Sequence, residues 1–584
     1  MLHLGIRHST GRNKHMRRAE VIIFVIFLLF ILLPLQAKAE NPPSGDEAGA
    51  QAERFKAQAE REREKLQKKS KPSKVEIEEK KTPVPHRSAF ILKRVKLIGN
   101  TIFKSEDFRP IYEPYLSKQV TFDDLEVIVE KINKKYEQKG YLTTNVFIPE
   151  QEIKDGIIEI RIAEGGMGDV SIEGNKWFPS AFIKKYFHIK KKEPLNIKKL
   201  QSDILRLNKN PDLEAKTVIS AGKEPGTSDI TLKIKDYFPW HFGVGEDNLG
   251  TRLTGKYRTS FTVRSTNVTG NGDKLFSSTL LSKSSFGQFV GYSMPIDTFG
   301  TEIGIDMTYF RMKLGKEFES FDITGETQMY TPYLVKELYL SDDFETAAKV
   351  GMDIKSIKKK MAGNITVNDQ LRIPYFEFNV ISNDNFGQTV FAPRFNFSTQ
   401  NFLGASLQDH PTASREGTGG FFFKYEQLVS RTQQMFLNSY CILRSGFQWA
   451  THTLPSSEQF QLGGMNSIRG YPEGDYLADI GGNLNFDWVF PMYPIPASWK
   501  LSHSEVPLQR QIQPVFFVDM GGGKNRKVLS GERKDKFLMG IGGGLRIRLN
   551  NNFNLRLEWA KHVGDDPQSG SGPSTFYFAL QGEI

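Results

Sequence analysis

Two stretches in the last fifth of the chain hold the residues best suited to specific chemistry. "GGMNSIRGYPEGDYLADIGG" sets Arg469 between Ile468 and the pair Gly470-Tyr471, and Asp519 follows fifty residues later in "PVFFVDMGGG". An arginine and a carboxylate can form a charge-assisted, bidentate pair that fixes both position and orientation. If the second stretch is a strand, Phe517, Asp519 and Gly521 share one face. The first stretch reads as a long loop, in which Gly470 permits a sharp turn and Tyr471 offers a ring to pack against a wall. Spacing alone does not bring the two stretches together, because a loose Arg/Asp couple at this separation is usually unpaired.

Other chemistry finds little support. The chain has no G-x-S-x-G, no H-E-x-x-H and no Cys/His metal spacing, and its ten histidines form no constellation. The single cysteine, Cys441, excludes an internal disulfide and a cysteine-based zinc site. "GGGKNR" at 521–526 lacks the G-x4-G-K-[ST] pattern of a phosphate loop. Glu473, Asp475 and Asp479 have the composition of a Ca²⁺ site, but a solvated acidic loop is the simpler reading. No enzyme activity, cofactor or metal is expected.

The N-terminus sets the compartment. Arg7, Arg12, Lys14, Arg17 and Arg18 precede the apolar run Val21–Leu33, and Ala37-Lys38-Ala39 closes it. A basic start, a short apolar middle and an A-x-A end describe a secretory signal peptide over 1–39, too short for a comfortable bilayer span. The segment holds six Lys/Arg and one Glu, so of the formal charge of +11 about +6 stays with the mature chain. That charge is too diffuse to argue for nucleic acid. Aromatic content of 12%, with 44 Phe and 51 Gly, and a negative mean hydropathy fit a barrel of half-greasy strands in an outer membrane.

Three kinds of element succeed one another. Residues 40–88 are polar: "GDEAGAQAERFKAQAEREREKLQKKS" predicts a helix over 46–69, then a linker. Its apolar stripe of Ala48, Ala52, Phe55, Ala59 and Leu66 is thin, suiting a solvated tether or a helix lodged reversibly in a polar cavity. An internal repeat follows, "VKLIGNTIF" from Val95 echoed by "VSIEGNKWF" from Val170. Each copy predicts a strand, a Gly-Asn turn, a helix and two closing strands, giving α+β modules over 89–164 and 165–238. In the first, Thr121 and Asp124 predict an N-cap, with Leu125, Ile128, Val129, Ile132 and Tyr136 on one face and Gly140 ending the helix. In the second, Ile197, Leu200, Ile204 and Leu207 repeat that face. From 239 to 584 the period is two. Ile303, Ile305, Met307 and Tyr309 alternate with Glu302, Gly304, Asp306 and Thr308, and Leu484, Phe486, Trp488 and Phe490 with Asn485, Asp487 and Val489. Phe553, Leu555, Leu557 and Trp559 alternate with Asn554, Arg556 and Glu558. Runs of about ten such residues match tilted strands crossing a bilayer. Inward Glu302, Asp306, Arg556 and Glu558 imply a wet, charged lumen.

The pair "IRGY" and "FVDMG" resembles the signatures of the outer-membrane barrel-assembly superfamily. The repeated modules, together with "GEDNLGTRLTGKYRTSFTVRSTNVTGNGDKL" at the barrel's opening, look like the two-partner secretion (haemolysin secretion/activation) transporters of that superfamily, over roughly 90–584. The resemblance implies a transmembrane β-barrel of about 16 antiparallel strands behind two polypeptide-transport-associated (POTRA) modules in the periplasm, and a plug helix where 46–69 stands. It implies secretion of one large partner protein, generally a β-helix outside the cell, by a monomer inserted by the barrel-assembly machinery among outer-membrane lipids. Carried over, Arg469 and Asp519 hold the inward loop, with Ile468, Gly470, Tyr471, Phe517 and Gly521 shaping the contact. The nearest alternative is a barrel-assembly factor. One departure stands out: outer-membrane barrels commonly end in an aromatic residue, and this chain ends in Ile584.

Overall fold

The computed structural model describes residues 44–67, 75–76, 89–224, 226–501, 504, 506–528, 532–549, 552–568 and 572–584. The signal segment and most of the linker after the first helix lie outside the described residues. A helix, α1 (Ala48–Gln67), precedes two α+β modules and a closed barrel.

The repeat is chemical as well as sequential. In the first module Arg94–Ile98 pairs in parallel with Ile157–Ala163, and Asn145–Phe147 adds antiparallel to the latter. Across this sheet lies α2 (Phe122–Gln138), burying Leu125, Ile128, Ile132 and Tyr136. Thr121 and Asp124 close a reciprocal capping box. The Thr121 amide and hydroxyl, both donating to its carboxylate, hold Asp124 below the ordinary carboxylate range. In the second module Gly166–Glu173 runs parallel to Thr227–Asp236, which pairs with Leu213–Ala221, and α3 (Ile197–Asn208) covers the sheet. Each Gly-Asn turn is stapled alike: Asn100 Nδ2 donates to the Phe103 carbonyl and Asn175 Nδ2 to the Phe178 carbonyl, both at 2.9 Å. A carboxylate at the end of each module's last strand gathers the turn amides. Glu164 accepts from Thr101 and Ile102 at 2.8 and 3.0 Å, and Asp236 from Trp177 and Phe178 at 2.7 and 2.9 Å. The modules join end to end, with the Ile197 amide at the start of α3 donating to the Gly140 carbonyl (2.8 Å), just past the end of α2.

The barrel strands, among the described residues, are β1 (Trp240–Asp247), β2 (Arg258–Ser265), β3 (Lys274–Ser282), β4 (Ser285–Pro295), β5 (Thr301–Lys313), β6 (Thr324–Leu340), β7 (Phe344–Met361), β8 (Asn364–Asp384), β9 (Gly387–Phe397), β10 (Phe423–Gln434), β11 (Tyr440–Ala450), β12 (Ile480–Val489), β13 (Ile512–Lys524), β14 (Asp535–Leu549), β15 (Phe553–His562) and β16 (Ser574–Glu583). Each pairs antiparallel with the next, and β1 closes on β16. Closure leaves no unpaired edge in lipid. Alternation sets the faces: Ile303, Leu484, Phe486, Trp559 and Phe576 stand exposed on the outer wall, while Asp306, Asp487, Asp519 and Glu558 are buried within. The terminal Ile584 side chain is exposed, yet its backbone continues the seam through a pair of bonds with Phe242.

Strands β6, β7 and β8 run 17, 18 and 21 residues, well beyond the ten or so read from the sequence. Their surplus length carries contacts. At one end Glu337 and Glu345 receive Arg206 of α3 and Lys209 just past it, at 2.7–2.9 Å. His188, on the loop before α3, stacks on Phe299 with centroids 4.1 Å apart, and its Nε2 lies 2.6 Å from the Thr298 hydroxyl. The second module is thereby seated on the turns that follow β4 and β6.

Ile128→Ala should cost roughly 2–5 kcal/mol, since the buried side chain leaves a cavity between α2 and its sheet. The check is early loss of helical circular dichroism on heating, with the barrel still migrating as folded on unheated gels.

Candidate functional site in the barrel lumen

The connection between β11 and β12, residues 451–479, folds back into the barrel. Phe460–Leu462 and Tyr476–Ala478 pair as a short hairpin, and the segment between them forms the tip. Ile468 and Tyr471 are fully buried and pack with Leu462, Tyr476 and Leu538.

Arg469 occupies the tip, completely buried. Its Nε and Nη2 donate to the two oxygens of Asp519 at 2.6 and 2.7 Å, a bidentate pair, and its own backbone amide donates to the same carboxylate at 3.0 Å. The guanidinium carbon lies 3.5 Å from the centroid of the Phe517 ring. Two further carboxylates complete the shell: Asp487 accepts from Nη2 at 2.5 Å and Glu558 from Nη1 at 3.0 Å. Thus β12, β13 and β15 each contribute one anion. Arg546 on β14 bridges Asp487 and Glu558 at 2.8 and 2.9 Å, while Arg444 and Arg556 reach Asp487 and Glu558. Four guanidinium groups therefore surround three carboxylates, and each anion keeps several donors.

The neighbours of Arg469 explain how the backbone enters so tight a space. Gly470 has φ +100, and a Cβ there would meet the His562 amide nitrogen at 2.8 Å. The Tyr577 hydroxyl accepts from the Gly470 amide (3.0 Å) and donates to the Tyr471 carbonyl (2.7 Å). On the wall a Cβ at Gly521 would fall 2.8 Å from Ile468 Cδ1, so a side chain there would push the tip away.

The structure brings Ile468, Arg469, Gly470 and Tyr471 against Phe517, Asp519 and Gly521. Asp487 and Glu558 were visible in the sequence only as inward-facing residues. Arg546, Arg444 and Tyr577 carried no signal of their own. The solvated reading of the acidic residues at the loop's base is corrected here. Asp475 and Asp479 are fully buried, the first paired with Lys536 (2.6 Å) and the second with Arg415 (2.9 Å), while Glu473 accepts from the Met465 amide (2.8 Å). Asp475 and Asp479 are structural anchors for the inward fold, neutralised by Lys536 on β14 and by Arg415 on the connection between β9 and β10.

Helix α1 lies in the other half of the lumen. Ala48, Ala52, Phe55 and Ala59 pack with Phe289, Phe310, Met312 and Met329 of the inner wall. The polar face, with Glu47 just before it, pairs with inward charges: Glu47 with Lys359 (3.0 Å), Glu53 with Lys355 (2.5 Å), Lys56 with Asp353 (3.2 Å) and Arg63 with Asp306 (2.5 Å). The helix also touches the inward loop. Arg54 donates to Gln461 at 2.7 Å, and Gln461 donates back to the Ala50 carbonyl at 3.0 Å.

A family model described as "Haemolysin secretion/activation protein ShlB/FhaC/HecB" matches residues 226–547, and one described as "POTRA domain, ShlB-type" matches residues 90–165. The chain belongs to the ShlB/FhaC/HecB family. Among characterised relatives, the heme/hemopexin transporter protein HuxB of Haemophilus influenzae (strain 86-028NP) is 24% identical over 497 residues, covering 82% of this chain and 84% of its own length. The solved structure of CdiB from Escherichia coli superposes with a TM-score of 0.73 at 19% identity, over 94% of this chain and all of that one. BamA from Haemophilus ducreyi, lacking its first three POTRA domains, shares the fold with a TM-score of 0.51 at 13% identity, over 85% of this chain and all of that one. This ShlB/FhaC/HecB-family protein is an outer-membrane two-partner secretion transporter: it secretes a partner protein, is not an enzyme, and holds its POTRA modules in the periplasm.

Arg469→Ala should destabilise the loop's seat by roughly 3–5 kcal/mol, because it strips a buried cation from three carboxylates. Arg469→Lys should recover little, since an ammonium cannot present the planar fork that Asp519 receives. Both outcomes are read from protease cleavage within 451–479 in the folded, detergent-solubilised barrel.

Proposed function

We propose that the chain exports one large, β-helical exoprotein, and that α1 and the 451–479 loop form a joint closure that this client displaces. The observation that carries this reading is the reciprocal Arg54–Gln461 and Gln461–Ala50 bonding, by which the helix and the loop support each other inside one lumen. In this reading residues 1–39 are a signal peptide and 40–88 supply the plug and its linker. Residues 89–164 and 165–238 are two client-receiving POTRA modules, and 239–584 the pore. Arg469 and Asp519 hold the loop at rest, with Ile468, Gly470, Tyr471, Phe517 and Gly521 shaping the seat.

The unfolded client binds first in the periplasm by strand addition. Asn145–Phe147 is an edge strand of the first module's sheet, and Phe147 on it is exposed, which suits that mode. The chain carries no nucleotide motif, so folding of the client outside the cell supplies direction. The transporter acts as a monomer and is itself inserted by the barrel-assembly machinery.

Comparing the proteomes of culture medium and outer membrane, with and without this gene, tests the reading. Loss of one large secreted protein with other barrels unchanged is expected, whereas a broad fall in many barrels would assign barrel assembly instead. Arg469→Ala should abolish export while the barrel remains inserted; normal export would sink the role given to the pair. A Lys56→Ala/Arg63→Ala double variant should raise the open fraction of single pores in planar bilayers, and an unchanged open fraction would remove α1 as the plug.

A further inference from the structure

Most periplasmic turns of this barrel are short: those after β6 and β8 span 341–343 and 385–386. The connection between β12 and β13 spans 490–511, and its described residues, 490–501, 504 and 506–511, carry hydrogen bonds of their own. The Met492 amide donates to the Gln509 carbonyl (2.8 Å), and the Leu508 amide to the Trp499 carbonyl (2.7 Å). Yet Tyr493, Trp499 and Val506 on it are about half exposed, at 50%, 59% and 48%. Beside it lies the turn 435–439, which displays Phe436 and Leu437 at 61% and 67% exposure. Leu437 and Asn438 both hold φ +56, a left-handed conformation unfavourable for a leucine, so this turn presents its apolar side chain against a local cost. The Tyr493 hydroxyl donates to the Leu437 carbonyl at 2.6 Å and ties the two segments into one unit.

The direction this unit faces is fixed by the strands it leaves. Phe436 lies 5.9 Å from Trp488, Trp488 4.7 Å from Phe490, and Phe490 6.1 Å from Phe516, centroid to centroid. Trp488 and Phe516 alternate with the lumen residues Asp487 and Phe517, so they belong to the lipid-facing wall. The exposed apolar groups of the two turns therefore continue the lipid-contacting surface past the ends of the strands. Lys500 and Arg510 on the longer segment are also exposed. Aromatic rings with basic side chains nearby are the composition that settles at the boundary between acyl chains and headgroups. The location is also distinctive: the second module sits on the turns after β2, β4 and β6, and these two turns follow β10 and β12, half-way round the barrel.

We propose that the 435–439 turn and the described residues of the 490–511 connection form a membrane-seated shelf. Its occupant is the phospholipid headgroup–acyl boundary of the inner leaflet of the outer membrane. Phe436, Leu437 and Trp499 enter the acyl boundary and Lys500 and Arg510 meet phosphate. The shelf anchors the rim that the second module leaves uncovered, and so fixes the barrel's depth and tilt while a client pulls on the opposite side.

Spin labels on Leu437→Cys and Trp499→Cys test this in the full-length protein, each in a Cys441→Ser background. The protein is reconstituted into phosphatidylethanolamine–phosphatidylglycerol vesicles. At both sites the ratio of oxygen to water-soluble nickel-complex accessibility should exceed that of an Ala362→Cys label on an outer turn several-fold. Ratios equal to that reference would overturn the shelf. Labels water-accessible in vesicles but shielded from both reagents in native outer membranes would also overturn it, assigning the surface to a protein partner. If a cysteine variant fails to insert, brominated phospholipids provide the second readout. They should quench the emission difference between the unsubstituted protein and Trp499→Phe, and an unquenched difference counts against the shelf.

Discussion

An arginine buried inside a closed barrel loses its hydration and must recover the difference from fixed anions. Arg469 recovers it from three strands at once, and that requirement constrains much of the surrounding architecture. Asp519, Asp487 and Glu558 converge only if β12, β13, β14 and β15 keep their observed register, since a slip of one residue turns every carboxylate toward lipid. Three carboxylates so close would repel one another without Arg546, Arg444 and Arg556 between them. The pocket also needs a narrow approach, which Gly470 on the loop and Gly521 on the wall provide. Arginine is required because the contact uses Nε, Nη1, Nη2 and the stacking face together.

Much of this was legible in sequence order, and the reasons for the rest are physical. Alternation identified the barrel and placed Asp487, Asp519 and Glu558 on its inner face, because a period of two needs no long-range information. It could not show that those three meet, since that depends on register among four strands. The acidic base of the loop misled for a related reason. Asp475 and Asp479 look like solvent-facing residues until Lys536 and Arg415, 61 and 64 residues away, arrive beside them. The length of β6–β8 was also hidden, because their pairing runs on past the span a bilayer requires to residues that serve α1 and α3.

Helix α1 shows the limit of hydrophobic pattern most clearly. A stripe of alanines and one phenylalanine is too thin for an ordinary core, and in sequence it fits a tether as well as a plug. Within a charged lumen the same composition becomes suitable. Small alanines let the helix approach Phe289 and Phe310, while its charges meet Lys355, Asp353 and Asp306 from strands some 250–300 residues away. The complementarity lies in the wall, so the helix alone cannot display it.

The helix and the loop differ in how exposed their ion pairs are, and on the proposed reading this difference orders the transport cycle. Arg469 and its three carboxylates are essentially without solvent exposure, and breaking such a set costs several kcal/mol. Of the four ion pairs named above for α1 and Glu47 just before it, Lys56–Asp353 is the one comparably buried. Glu47–Lys359 keeps more than a quarter of each side chain accessible, and Glu53 and Arg63 about a fifth. Glu47–Lys359, the pair most open to water, contributes little, and the half-buried pairs lie between these limits. On the proposed reading the helix is the closure that yields first to a client arriving from the periplasm, and its departure would remove the Arg54–Gln461 support from the loop's hairpin. On that reading Arg469 keeps its three carboxylates through this first step, and the barrel wall would keep its register while half of the lumen clears.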